Sequence, residues 1–223
     1  MVSTGDTPLI GAVNMNNLEL VKHLLDNSAD AKATNSYGNT ALMSAAVYGT
    51  NKLVELLLPK SNAKATDNGG RSTLMYAAYL GRNKMVELLL PKSDAKATEN
   101  DGYTALMYAA KYGSYKFKSV ELLLPKSDAK ATTKYGYTAL MFAARRGRDK
   151  LVELLLPKSD AKASNNHGET ALMLAARSRN FESVELLLSK SDVKARNNDG
   201  QTAIDIAKSE GYNQIVELLQ KHN

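Results

Sequence analysis

Cysteine is absent from the 223-residue chain, which excludes disulfide frameworks, thiolate metal sites and cysteine nucleophiles. Tryptophan is absent too and phenylalanine occurs three times, so the aromatic content is essentially eleven tyrosines. No uninterrupted apolar run exceeds a few residues, far short of the roughly 20 needed to cross a bilayer, and no membrane span is expected. The stretch from Met1 to Asp6 lacks the basic and apolar regions of a signal peptide. A cytoplasmic protein is therefore expected. Charge of neither sign is missing: Lys and Arg number 29 and Asp and Glu 23, a formal excess of +6.

What is present is repetition. The triple Leu56-Leu57-Leu58 returns at Leu88-Leu89-Leu90, Leu122-Leu123-Leu124, Leu154-Leu155-Leu156 and Leu186-Leu187-Leu188, in steps of 32, 34, 32 and 32 residues. Glycines keep the same beat at Gly38, Gly70, Gly102, Gly136, Gly168 and Gly200. Seven units are read, at about 3–34, 35–66, 67–98, 99–132, 133–164, 165–196 and 197–223, forming a single domain over 1–223 with the first and last units as caps.

One unit shows the physics. Tyr37-Gly38-Asn39 signals a turn, and Thr40 is a competent helix N-cap. Ala41 to Tyr48 reads as a short helix, with Gly49 suited to a left-handed C-terminal position. Asn51 to Leu58 reads as a second helix, stopped by Pro59. Helices of about two turns do not survive alone in water, so only stacking like on like yields a continuous core. The pairs Ala45-Ala46, Ala77-Ala78, Ala109-Ala110, Ala143-Ala144 and Ala175-Ala176 let the helices approach closely. Met43, Met75, Met107, Met141 and Met173 share one repeat position and are expected in the core as gap-fillers.

A Gly-turn, Thr-x-Leu opening the first helix, Ala-Ala, Gly, then Val-x-Leu-Leu, at a period near 33, resembles the ankyrin repeat over essentially the whole chain. The resemblance implies an all-α ankyrin-repeat solenoid with short hairpin-like connecting turns. Two departures stand out. Internal units read Thr-Ala-Leu-Met, as at Thr104 to Met107, in place of the family's Thr-Pro-Leu-His. The family's Gly-Ala-Asp step is shortened to Ser-Asp, as at Ser93-Asp94, with only Ser28-Ala29-Asp30 keeping the longer form. Those arms are expected to differ from the usual hairpin. His23, where other units carry Leu, and Asp205, where internal units carry Met, mark the two caps.

Enzyme chemistry finds no support. The three histidines, His23, His167 and His222, lie in a cap, a turn tip and the tail, and no phosphate loop or metal-ligand spacing is present. No cofactor, no metal and no catalytic residue are expected. The family resemblance instead implies a concave binding face built from turn tips and first-helix ends. Carried over by position, this face comprises Tyr37, Tyr48, Arg71, Tyr79, Tyr103, Lys111, Tyr112, Tyr135, Tyr137, Arg145, Arg146 and Arg177. Nine of the eleven tyrosines fall on the tips and first helices, Tyr115 and Tyr212 excepted. Tyr and Arg are favoured at interface hot spots. Tyr76 and Tyr108 lie nearer the core and either pack between helices or join the face, whereas Tyr37, Tyr103, Tyr135 and Tyr137 are expected outside the core.

The expectation is a monomeric, non-enzymatic adaptor or scaffold module that binds a protein partner. Two other readings are a nucleic-acid or anionic-lipid binder using the lysine ladder Lys60/Lys64 to Lys190/Lys194, and a repeat scaffold, natural or engineered, without a dedicated partner. Asp94, Asp128, Asp160 and Asp192 interleave with those lysines, so the ladder is read as a solvated face and nucleic acid is not expected. Two extra residues near Tyr115-Phe117 mark an insertion loop. Arg179 replaces the helix-ending glycine in the sixth unit, at a cost of about 1 kcal/mol.

Overall fold

The computed structural model describes residues 5–113 and 117–222. Among them are fourteen α-helices and no strand, only the single antiparallel bridges Thr34–Thr40, Thr66–Ser72 and Ser164–Thr170. The chain divides into two compact units, Met1–Ser127 and Asp128–Asn223. The first holds α1 (Pro8–Asn14), α2 (Leu18–Asp26), α3 (Ala41–Tyr48), α4 (Asn51–Leu57), α5 (Thr73–Tyr79), α6 (Asn83–Leu89), α7 (Ala105–Tyr112) and α8 (Lys118–Leu123). The second holds α9 (Ala139–Arg145), α10 (Asp149–Leu155), α11 (Ala171–Arg177), α12 (Phe181–Leu188), α13 (Ala203–Ser209) and α14 (Asn213–Gln220).

Within each unit the odd-numbered helices pack in one layer and the even-numbered ones in another. The runs α1–α3–α5–α7 and α9–α11–α13 form the first layer, and α2–α4–α6–α8 and α10–α12–α14 the second. The alanine pairs and the five repeated methionines are all buried between them, as their spacing predicts. Every odd-numbered helix starts on a hydroxyl. Thr7, Thr40, Ser72, Thr104, Thr138, Thr170 and Thr202 accept the backbone N–H three residues on. Each such cap contributes about 1 kcal/mol to a helix too short to hold itself. In α13 the cap is reciprocal, because Asp205 accepts the Thr202 N–H at 2.9 Å. That backbone hydrogen bond, followed by the Thr202 hydroxyl, holds the Asp205 carboxyl below its usual range.

Two local expectations need correction. Gly49 is extended rather than left-handed, with φ −85° and ψ −173°. Its carbonyl, and that of Val47, are turned to the Arg82 guanidinium, which donates to both at 2.7 Å. Left-handed geometry does occur at Gly81 and Gly147, and Arg179 adopts it as well, with φ +59°. Pro59 does not end the second helix at Leu58. Helix α4 stops at Leu57, and the proline enters a single 3-10 turn over Leu58–Lys60 that needs no N–H from it. Where Ser189 stands in the proline position, α12 runs on to Leu188 without such a turn. The arms differ as the shortened Ser-Asp step implies. In the first arm Ser28 supplies a left-handed residue with φ +63°. In the shorter arms at Pro59, Pro91, Pro125 and Pro157 a 3-10 turn follows the helix instead.

The turn tips connect successive layers. Gly168 is left-handed at φ +74°, and a Cβ there would lie 2.7 Å from Asn198 Oδ1 and 2.9 Å from Asn198 N. Gly200 has nearly the same backbone, φ +75°, yet a Cβ there meets nothing within 4 Å. Gly200→Ala should therefore cost only the left-handed strain, roughly 1–2 kcal/mol. Gly168→Ala should cost at least twice as much, because it also pushes the next tip away; equal losses in chemical denaturation would show that tip contact is unimportant. A second comparison isolates the strain at Arg179, whose guanidinium carbon lies 5.9 Å from the Tyr212 ring centre. Both Arg179→Ala and Arg179→Gly lose that contact, so the glycine variant should be the more stable by about 1 kcal/mol, measured by thermal unfolding.

Candidate functional site

Each tip is built on one clamp residue. Asn35, Asp67 and Glu99 in the first unit accept the backbone N–H groups two and four residues on. Thr133, Asn165 and Asn197 do the same in the second. The residue after the clamp reaches back to the preceding tip. Asn68 gives its backbone N–H to the Tyr37 carbonyl and its side-chain amide to the Ser36 carbonyl, both at 3.0 Å. Asn100, Asn166 and Asn198 repeat this toward Gly69 and Asn68, Tyr135 and Lys134, and His167 and Asn166. Sequence reasoning does not single out Asn68, Asn100, Asn166 or Asn198 for this role. Their fixed spacing, directly after the clamp, was the available signal.

On this frame the first unit carries most of the tyrosines. Tyr37 at a tip, Tyr48 ending α3, Tyr79 ending α5 and Tyr112 ending α7 are exposed by 54, 66, 43 and 41%. The rings of α5 and α7 touch. Tyr79 lies 4.8 Å from Tyr112 and meets Tyr108 edge-on at 5.9 Å, while Tyr103 stacks on Tyr108 at 5.2 Å. Tyr103 is thus half-buried, not a free tip residue. Lys111 donates to the Tyr103 hydroxyl at 2.8 Å and lies 4.8 Å from the centres of both the Tyr103 and Tyr112 rings. Burial works against its ammonium, but hydrogen bonds to the two tyrosine hydroxyls outweigh that and raise its pKa.

Arg71 is anchored from below. Its Nε lies 3.1 Å from Asp67 Oδ2, an oxygen that also accepts the Tyr76 hydroxyl at 2.5 Å. The guanidinium carbon stands 5.3 Å from the Tyr76 ring centre. Burial and the hydrogen bond to Asp67 push the Tyr76 hydroxyl well above the usual tyrosine range. Burial, followed by the Glu99 charge, pushes Tyr108 up to about 12. Both rings are half-buried, so they pack between helices and still border the face. Together Val47, Arg71, Met75, Tyr76, Tyr79, Leu80, Tyr108 and Tyr112 line a cleft of about 360 Å³.

The second unit presents a different surface. Tyr135 is exposed at its tip with the Lys134 ammonium 5.0 Å from the ring centre, whereas Tyr137 is half-buried and stacks on the buried Phe142 at 5.2 Å. Arg145 ends α9, Arg146 caps it and Arg177 ends α11, all three exposed. Arg177 holds Glu169 at 2.9 Å. Tyr137, Arg145, His167, Glu169 and Arg177 are among the residues lining a smaller cleft of about 290 Å³. The residues interleaved with the lysine ladder have a structural role. Asn62, Asp94, Asp128, Asp160 and Asp192 each accept the backbone N–H of the lysine two residues on, from Lys64 to Lys194. The acids thus close the turns that carry these lysines. Tyr115 lies outside the described residues, and Phe117 is half-buried just before α8.

Among the described residues no group of three His, Cys, Asp or Glu could hold a metal ion. Nor is any described helix long and apolar enough to cross a membrane. A family model described as ankyrin repeats (3 copies) matches residues 9–101, 50–127, 74–165, 116–197 and 151–223. No curated protein matches the chain.

The raised tyrosines set an alkaline limit. Folding favours the neutral phenols, so this stabilisation is complete below the unfolded value near 10 and is lost as pH climbs through about 12 at Tyr108. The melting temperature should fall over that window, and the fall should be shallower in Tyr108→Phe. An unchanged slope would remove Tyr108 from the cause.

Proposed function

The chain belongs to the ankyrin-repeat family, and we propose that it works as a non-enzymatic adaptor that recognises a protein through the tyrosine- and arginine-bearing faces of its two units. Ankyrin repeats are generally protein–protein interaction modules, which supports the class of function. The observation that carries the assignment to these faces is the exposure of Tyr48, Tyr79 and Tyr112 at successive first-helix ends. Each keeps about two-fifths or more of its surface open even where neighbouring rings support it, and an amphipathic ring with few rotors to freeze is well suited to a partner. Arg145, Arg146 and Arg177 occupy corresponding helix ends in the second unit and supply charged donors for carboxylates or carbonyls. Tyr103, Tyr137 and Arg71 have a double role in this reading, because each is also tied into the framework.

The test is an affinity capture with wild type beside two variants, Tyr48/Tyr79/Tyr112→Ser and Arg145/Arg146→Ser, with circular dichroism to show that both fold. A protein retained by wild type and reduced at least about tenfold by either variant supports recognition through that face. Equal capture of nucleic acid or anionic lipid by all three would move the site to the lysine ladder, and the binding should then weaken steeply with salt. Capture of nothing by any of them would leave the scaffold without a recognition role.

A further inference from the structure

The cleft of the first unit is apolar in its walls and cationic at its edge. Met75, Tyr79, Leu80, Tyr108 and Tyr112 give it carbon surface, and Tyr79, Leu80 and Tyr112 leave 43, 41 and 41% of theirs uncovered. These side chains place open ring and aliphatic surface side by side within one concave site, where an apolar group of a partner could be seated. The only ionised side chain among the lining residues is Arg71, and the Lys111 ammonium stands over Tyr112, one of its walls. Among the described residues no carboxylate lines it, the Glu99 charge acting on Tyr108 from outside the lining. Asp67, the acid closest to Arg71, is nearly inaccessible, with 3% of its side chain exposed. It is also saturated, by the N–H groups of Gly69 and Arg71, the Arg71 Nε and the Tyr76 hydroxyl. Asp101, at the neighbouring tip, is not among the lining residues. Arg71 remains 47% exposed while giving Asp67 only its Nε, so its terminal amino groups are positioned to serve a second acceptor.

Taking the protein-recognition reading as its premise, we propose that this cleft binds an acidic peptide segment of its partner, with one bulky apolar side chain seated against Tyr79, Tyr108 and Tyr112 and flanking carboxylates meeting Arg71 and Lys111. A cavity of this size takes a leucine, methionine or phenylalanine side chain. The rings are already in mutual contact, so little ordering is required when it is filled. A basic segment is disfavoured because it would bring like charge to both cations without a carboxylate in the cleft to receive it.

Three fluorescein-labelled peptides test this by anisotropy against the full chain. The first is glutamate-rich with leucines at helical spacing, the second has serine for each leucine, and the third has lysine for each glutamate. The first should bind at least about tenfold more tightly than either of the others. Tyr79→Ser should weaken it about tenfold, and Arg71→Gln with Lys111→Gln should weaken it further as salt is lowered relative to wild type. Tyr112→Ser provides a second, independent probe of the wall should Tyr79→Ser unfold by circular dichroism. Equal binding of the serine peptide reduces recognition to charge and overturns the anchor. Equal binding of the lysine peptide overturns the acidic assignment, and failure of all three peptides overturns both. If the affinity capture meanwhile retains a protein through the tyrosines, the recognition role stands and only the partner chemistry is wrong. If both experiments fail, the recognition role falls as well.

Discussion

The hydrogen bond from one tip's asparagine amide to the carbonyls of the tip before it is the constraint from which the rest of each unit follows. The bond from Asn198 to Asn166, at 3.0 Å, requires close approach of two backbones. A side chain at the intervening position would obstruct it, which is why Gly168 is needed for its space as well as its left-handed φ. Close approach then sets the layer spacing, and that spacing admits alanine and methionine between helices but nothing bulky and branched at the Ala-Ala positions. Hydroxyl caps and buried methionines stabilise helices of six to nine residues, but neither would hold them without the stack.

Once the tips are fixed, the tyrosines divide by position. Those at the tips directly after the glycine, as at Tyr103 and Tyr137, or in mid-helix, as at Tyr76 and Tyr108, lie against other rings or a buried carboxylate. Those at helix ends, Tyr48, Tyr79 and Tyr112, keep much of their surface exposed, Tyr79 and Tyr112 resting partly on each other. This divides framework from surface more sharply than residue type does. It also explains why two cations, Arg71 and Lys111, are held in place on aromatic rings and hydrogen bonds instead of waving in solvent.

Much of this was legible in the sequence. The helix pairs, the threonine caps and the methionine core all follow from the period and from Thr-Ala-Leu-Met. The conformation of Gly49 was not legible, because it depends on Arg82 in the next repeat reaching back to its carbonyl. Nor was the 3-10 turn at Leu58–Lys60, since proline forbids the helix but does not dictate what replaces it. At the candidate site, the exposure of Tyr37, Tyr48, Tyr79, Tyr112 and Tyr135 agrees with their register. The half-burial of Tyr103 and Tyr137 depends on rings in the following helix, Tyr108 and Phe142, that a single position cannot reveal.

The departures from repetition are themselves informative. Ser119 and Ser183 stand where α4, α6 and α10 carry Leu53, Met85 and Leu151, and each hydroxyl lies 2.5 Å from a polar group of the preceding even-numbered helix, Asn83 or Asp149. In both cases the residue two before the serine is phenylalanine, Phe117 or Phe181, in place of the Asn or Asp that opens α4, α6, α10 and α14. Loss of apolar volume at one position is thus accompanied by its gain at a neighbouring one, and the buried serine is satisfied by a partner one repeat back. Such coupled changes show packing acting on the even-numbered helices. At the ends of the odd-numbered helices no compensation is visible: Tyr48, Leu80 and Tyr112 give way to Arg146 and Ser178 while the alanine pairs beside them stay fixed. Residues that change while the core beside them stays fixed are the ones available to be shaped by something outside the chain.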